Sequence, residues 1–301
     1  MLAQPVMVTG RMTPCTSCGA EDSVSRGSKV GWPLWECGRC GALFTDANSR
    51  ASEIEARYEG AYAETESVPQ VVLDSLDRLV RRCEPFRRSG RWLDVGYGQG
   101  DLLGAAARQK WTCYGTELAL PALALGEGRG WIVSVDGERD ARFPAGGFDV
   151  VSMVELIEHV VSPRPFLAAA FRWLRPGGLL YVTTPNVSSL NYRILGIEWS
   201  VVVPPEHLNL WTGRGLGWAL RDAGFEPVTI RTEGLNPFEI LGRLRRRRGE
   251  VCAGYHRNRA VQGLATTLER HSLGRAARAA VNHFVRAFGV GDTLKAWAIR
   301  P

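Results

Sequence analysis

A chain of 301 residues with a formal charge of +6, 45% apolar and 23% charged residues has the composition of a globular protein, with room for one large core and an accessory piece. No apolar run approaches the length that spans a bilayer, and the opening MLAQPVMVTGRMTPC lacks the charged start and apolar stretch of a secretory leader, so a cytoplasmic location is expected. The charge is uneven: residues 241–301 hold thirteen Lys/Arg against three Asp/Glu, densest in GRLRRRRGE at 242–250. That stretch reads as the solvated face of a helix. Nucleic acid, an anionic lipid surface or a phosphorylated substrate are its alternative contacts, and no recognisable nucleic-acid motif accompanies it.

The first element, over residues 1–48, is a cysteine pattern. CTSCG and CGRCG place Cys15, Cys18, Cys37 and Cys40 as C-x2-C-x18-C-x2-C, the spacing of a four-thiolate zinc site. Gly19 and Gly41 follow the two pairs and suit the tight knuckle that turns both sulfurs toward one metal. Four thiolates leave no open position, so the expected zinc is structural, and it lets a segment too short for its own core fold. Cys83, Cys113 and Cys252 read as small buried or incidental residues.

Residues 49–89 read as a helical linker or cap containing Tyr58 and Tyr62, which either pack on the next domain or fold over a ligand. From 90 to 235 strand and helix signals alternate. RWLDVG, WTCYGTEL, WIVSVDG, FDVVSMV and GGLLYVTTP read as strands, with helices in DLLGAAARQK, PALALGEGRG and PRPFLAAAFRWLRPGG. A further helix, GLGWALRDAGF, and strand, EPVTIRT, follow PPEHLNLWT. Residues 236–290 read as a basic helical insertion, a lid or an oligomer contact that makes a homodimer possible, and 291–301 as the last strand. The expected fold is α/β: a doubly wound, mostly parallel Rossmann-like sheet with helices on both faces, plus the ribbon and the insertion.

In WLDVGYGQG, three glycines at alternate positions follow a buried strand, where the backbone of a strand-to-helix turn approaches a ligand. Asp101 occupies the place that would complete G-x-G-x-x-G, and no Gly-Lys-Ser/Thr follows, so the ligand is nucleotide-related but neither NAD nor ATP. In a doubly wound sheet Gly96–Gly100, Glu117, Asp136 and Met153–His159 all fall at the carboxyl ends of the strands, where ligands bind.

LDVGYGQG, the acidic residue of GTEL, FDVVSMVELIEHV, LRPGGLLYVTTPN and PEHLNLWT followed by AGF, in this order, resemble the class I S-adenosylmethionine-dependent methyltransferases. The ubiquinone-biosynthesis-like O-methyltransferase group looks closest, and a four-cysteine ribbon also occurs in some members that modify sugars or natural products. The resemblance implies S-adenosylmethionine as cofactor. Gly96, Gly98 and Gly100 would then admit its amino-acid end, with Asp94 accepting from the ammonium. Glu117 would take the ribose hydroxyls, with Leu118 beside it, and Asp136 or Gly137 (or Glu138) would meet the adenine amino group. Tyr97 departs from the family's usual small residue or cysteine, which implies altered packing over the methionine end.

Methyl transfer to a hydroxyl needs alignment and a base. His207, in PPEHL, is expected on a loop over the acceptor, with a pKa suited to neutral pH; the alternative is a loop-shaping residue, and His159 is the second candidate. Glu155, Glu158 and His159 are spaced to share a face of a helical turn, and the resemblance implies Mg²⁺ there, against a plain hydrogen-bonded pocket lining. The expected partner is a small hydroxylated acceptor: a sugar, natural-product or carrier-bound intermediate. An RNA-base methyltransferase and a non-catalytic binding protein are the alternatives. SMVE where an Asn/Asp-Pro-Pro motif would stand argues against methylation of an amino group, and the intact Asp94, glycines and Glu117 argue against a scaffold.

Overall fold

The computed structural model describes residues 14–47, 50, 51, 54, 68–137, 140–245 and 272–301. Strands β1 (Ser23–Lys29), β2 (Trp32–Cys37) and β3 (Leu43–Phe44) form the ribbon, followed by helix α1 (Gln70–Cys83). The main unit runs β4 (Arg91–Val95), α2 (Asp101–Arg108), β5 (Thr112–Thr116), α3 (Leu120–Gly128), β6 (Ile132–Ser134) and β7 (Phe148–Val154). It continues through α4 (Pro163–Trp173), β8 (Leu174–Pro185), α5 (Leu190–Leu195), β9 (Asn209–Leu210), α6 (Gly213–Asp222) and β10 (Val228–Glu233). Helices α7 (Pro237–Arg245) and α8 (Ser272–Ala287) separate β10 from β11 (Thr293–Ile299).

Seven strands make the central sheet in the order β10-β11-β8-β7-β4-β5-β6. The pairs β4–β5, β4–β7, β5–β6 and β7–β8 are parallel, whereas β11 runs antiparallel to both β8 and β10. The chain leaves β4 toward β5 and later returns on the opposite side as β7, which opens a crevice at the carboxyl ends of β4 and β7. The strands are apolar on both faces because helices cover both. Trp92, Val150 and Leu179 pack toward α1, α2 and α3, while their neighbours Leu93, Val151 and Leu180 pack toward α4 and α6.

Helix starts follow their local chemistry. Pro163 and Pro121 sit in first turns, where no backbone donor is lost, and Thr212 caps α6 by accepting from the Gly215 N–H at 3.0 Å. The expected helix through PRPFLAAAFRWLRPGG stops at Trp173. LRPGG belongs to β8, whose register against β7 shifts between Phe148 and Val150. No described helix is long and apolar enough to cross a membrane.

One pairing has no counterpart in the sequence pattern. Strand β9, only two residues long, joins β3, so the ribbon's sheet runs β1-β2-β3-β9 and takes its last strand from the loop after His207.

Candidate active site

Strand β4 carries Asp94 to the carboxyl edge, and the chain then passes through three left-handed glycines, Gly96, Gly98 and Gly100, with φ of 68°, 54° and 75°. Any other residue there costs about 1–2 kcal/mol in backbone strain alone. A Cβ at Gly96 would lie 2.7 Å from Leu156, and one at Gly100 would lie 2.4 Å from the Trp131 ring. Glu117, just beyond β5, locks this loop: Oε2 accepts from the Gly98 N–H at 2.8 Å, and Oε1 accepts from the Leu118 and Ala119 N–H groups at 2.8 and 3.2 Å. Both oxygens keep acceptor capacity for a ligand's hydroxyls. Leu118 and Val135, 44% and 54% exposed, offer apolar surface at the ends of β5 and β6, where Asp136 is exposed and Gly137 buried. Glu138, Tyr58, Tyr62 and Cys252 lie outside the described residues.

Asp94 is buried, with Oδ1 accepting from Ser152 Oγ at 2.6 Å, and that oxygen accepts in turn from Trp92 Nε1 at 2.9 Å. Burial pushes the Asp94 carboxyl up to about 7, against the opposing pull of Ser152. A cation brought beside it would ionise it.

Tyr97, the departure from the family's usual small residue or cysteine, packs beneath the glycine loop. Its hydroxyl donates to the Ala122 carbonyl at 2.8 Å, and its ring meets Trp131 edge-on beneath the loop. The ring fits because position 115 is glycine: a Cβ there would stand 2.4 Å from it.

The tips of β7 and β8 hold the second cluster. Residues 155–162 form turns and bends rather than the expected helical turn, and Glu155, exposed and with φ of 49°, begins them. Glu155 and Glu158 still meet through their side chains, but from a turn and not from one face of a helix. The groups that converge are Glu158, His159 and His207, whose ligand atoms lie within 4.8 Å of one another. The two imidazole rings stand 4.7 Å apart, edge to face. His159 Nδ1 lies 2.7 Å from the Glu206 carbonyl oxygen, and His207 Nδ1 lies 2.7 Å from that of Val201. A carbonyl only accepts, so each Nδ1 carries the proton and each Nε2 presents a lone pair.

Glu158 is fully buried. Its Oε2 accepts from Thr184 Oγ1 at 2.9 Å, while Oε1 has no hydrogen-bond partner and stands 3.8 Å from His159 Nε2. Burial, and then the neighbouring Glu155, raise the Glu158 pKa well above the carboxylate range. Burial likewise lowers His159 to about 4, with His207 adding to the effect, and lowers His207 below its ordinary value. Burial thus disfavours the charged form of all three groups. Glu158, His159 and His207 offer two imidazole nitrogens and one carboxyl, poorer in oxygen than Mg²⁺ prefers, while the Glu155 carboxyl lies beside that of Glu158 as a further oxygen donor.

In the ribbon, the two knuckles repeat one geometry. The Gly19 N–H donates to the Cys15 carbonyl and the Gly41 N–H to that of Cys37, both at 2.8 Å, with φ of 71° and 74° at the glycines. Cys15 Sγ lies 3.6 Å from Cys40 Sγ, and Cys18 Sγ lies 3.6 Å from Cys37 Sγ. Four sulfurs about 2.3 Å from a tetrahedral zinc would stand roughly 3.8 Å apart, so the cluster fits that ion without rearrangement.

The ribbon grips the segment that carries His207. Thr45 N–H donates to the Leu208 carbonyl at 3.0 Å, and Thr212 Oγ1 donates to the Cys40 carbonyl at 2.6 Å. Leu34 and Leu43 of the ribbon share a core with Val187, Trp199 and Leu210. From the other side, the Leu208 and Asn209 N–H groups donate to the Glu158 carbonyl at 2.7 and 3.1 Å. In the basic segment, Arg243 Nη1 donates to the Leu195 carbonyl at 3.0 Å, which anchors α7 to the end of α5; Arg246 to Arg248 lie outside the described residues.

A seven-stranded sheet with an antiparallel β11, a glycine loop after β4 and a carboxylate after β5 defines a class I S-adenosylmethionine-dependent methyltransferase. A family model described as "Methyltransferase domain" matches residues 65–230, and the chain belongs to that family. Among curated proteins, the chain is 31% identical over 182 residues to a ubiquinone biosynthesis O-methyltransferase of Cereibacter sphaeroides, covering 56% of this chain and 73% of that one. It is 30% identical over 165 residues to the protein of the same name from Thiobacillus denitrificans, covering 50% and 71%. Among solved structures, a SAM-dependent methyltransferase from Archaeoglobus fulgidus superposes with a TM-score of 0.50 at 19% identity, over 75% of this chain and 94% of that one.

Purified protein is expected to contain one zinc per chain, lost in Cys15→Ser/Cys18→Ser. Because the ribbon grips the His207 segment and not the glycine loop, turnover should fall at least about tenfold while cofactor affinity changes less than about threefold. Metal analysis with cofactor calorimetry checks both; equal losses of turnover and cofactor affinity would contradict the separation.

Proposed function

We propose that the chain methylates a hydroxyl of a small acceptor, with His207 as the general base and His159 beside it. The observation that carries this reading is the pair of neutral imidazoles at the β7 and β8 tips, each with Nδ1 tied to a carbonyl and Nε2 presenting its lone pair. A lone pair fixed in this way accepts a hydroxyl proton as the oxygen attacks. The curated O-methyltransferases that the chain resembles support an oxygen acceptor.

S-adenosylmethionine, when bound, supplies an electrophilic methyl on a sulfonium. The chain's own residues hold and align it. In this reading Gly96, Gly98 and Gly100 admit the amino-acid end, and Asp94 accepts from its ammonium. Glu117 accepts from the ribose hydroxyls while still braced by the Gly98 N–H, and Leu118 gives the adenine an apolar flank, with Asp136 and Gly137 at its amino edge. Burial disfavours the charged form of Glu158 and lowers both histidine pKa values, which favours the neutral, proton-accepting form of the imidazole pair.

His207→Ala is expected to lower kcat by about a hundredfold or more and to leave cofactor affinity nearly unchanged. Burial lowers the His207 pKa from its ordinary 6.5, so the base form appears at lower pH than in a free imidazole. The midpoint of the rise of rate with pH should therefore lie on the acid side of 6.5, and that limb should vanish in the variant. A variant that keeps most of its kcat would make His207 a loop-shaping residue and pass the role of base to His159.

Asp94 supplies a second test. Its carboxyl, raised to about 7, must ionise to hold an ammonium. Above pH 7 it is ionised before the cofactor arrives; below, binding must expel a proton, and affinity should weaken by up to about tenfold per pH unit. Calorimetry between pH 6 and 8 should show this dependence, and Asp94→Asn should abolish it; pH-independent affinity in the parent protein would remove Asp94 from the ammonium site.

A further inference from the structure

Between the ribbon and α5 lies a cleft of about 800 Å³, walled by the second cysteine knuckle on one side and by residues 187–197 on the other. Its volume is that of a small-molecule site. Four arginines line it, Arg26, Arg39, Arg193 and Arg214, against one acid, Glu36. Arg26 is already neutralised: Nε and Nη2 donate to the two Glu36 carboxylate oxygens at 2.8 and 2.9 Å.

The other three have no ion-pair partner among the described residues. Each is nonetheless tethered. The Arg39 guanidinium lies 4.8 Å from the centre of the Trp218 ring, Arg193 Nε donates to the Ser188 carbonyl at 3.0 Å, and Arg214 Nη1 donates to the Arg39 carbonyl at 3.4 Å. A guanidinium carries five N–H donors, so most of each fork stays available. Three like charges gathered around one cleft repel one another, and a multiply charged anion reverses the sign of that term. One carboxylate brings a single charge, whereas a phosphate monoester or diphosphate brings about two or more and matches guanidinium forks with paired oxygens.

We propose that this cleft binds the phosphate or diphosphate group of a small molecule through Arg39, Arg193 and Arg214. It lies outside the cofactor crevice and adjoins the acceptor loop. Val187 and Ser188 lie just past the end of β8 at Pro185, Thr212 lies just past β9, and Asn186 bridges Trp211 between them. An anionic group anchored here is either the remote end of the methyl acceptor or a separate phosphorylated ligand. Neither source requires His207 to be the base.

The test is calorimetric titration of the zinc-loaded full chain, its cofactor site saturated with S-adenosylhomocysteine, with inorganic pyrophosphate and with uridine diphosphate. One saturable site is expected, weakened about tenfold or more in Arg193→Ala and in Arg39→Ala. It should weaken as salt is raised, and it should be unchanged in His207→Ala. S-adenosylhomocysteine affinity and zinc content, unchanged in the arginine variants, show that they fold. Tighter binding of uridine diphosphate than of pyrophosphate identifies the anionic end of a larger molecule; equal binding identifies a free inorganic anion. No saturable binding of either up to about 10 mM, or binding indifferent to both arginine substitutions, overturns the proposal.

Discussion

Residues 207–210 are held by backbone hydrogen bonds from two directions. On one side the ribbon's β3 pairs with Asn209 and Leu210 and the Thr45 amide takes the Leu208 carbonyl; on the other the Glu158 carbonyl accepts from the Leu208 and Asn209 amides. Such a short strand has no stability of its own, because two residues cannot offset the entropy of ordering them. It persists because the knuckle, the buried Leu34 and Leu43, and the β7 tip converge on it. The place of His207 beside His159 follows from that clamp. The ribbon is thus not an appendage to the sheet: its own sheet is completed by the loop that carries the candidate base.

The crevice divides electrostatically. On the cofactor side, Asp94 is buried next to the partly exposed Glu117, an arrangement whose negative potential suits a ligand bearing ammonium and sulfonium charges. At the β7 and β8 tips, burial disfavours the charged forms of Glu158, His159 and His207. In the proposed reaction a less charged wall bearing the candidate base would face a cation-binding wall, which suits a displacement in which the attacking oxygen gives up its proton as the sulfonium loses its charge. Beyond the clamp, the surplus charge of Arg39, Arg193 and Arg214 forms a third field of opposite sign to the cofactor side.

What could be read in the sequence was local. The doubled C-x2-C spacing places its four sulfurs together because the ligands come from two tight turns, and alternate glycines after an apolar run give the left-handed loop because no other residue adopts it cheaply. The mostly parallel sheet followed from the alternation of elements, but its strand order did not. What could not be read was made by distant segments meeting. His159 and His207 are far apart in sequence, and the i, i+3, i+4 spacing of Glu155, Glu158 and His159 suggested a helical face where the chain instead turns at a positive φ. A two-residue strand leaves no periodic trace, so β9 was invisible. Tyr97 points away from the crevice because of Gly115, which lies on another strand. The proposed anion ligands Arg39, Arg193 and Arg214 come from a knuckle and two helical segments.

Hydrogen exchange on the full chain, with zinc bound and after its removal by a chelator, measures the clamp directly. If ribbon and acceptor loop form one cooperative unit, metal removal should deprotect the amides of Thr45, Leu208 and Asn209 together, while those of β4, β7 and β8 keep their protection. Unchanged protection at Leu208 and Asn209 while the knuckle amides open would contradict it, and would leave the loop held by the β7 tip alone.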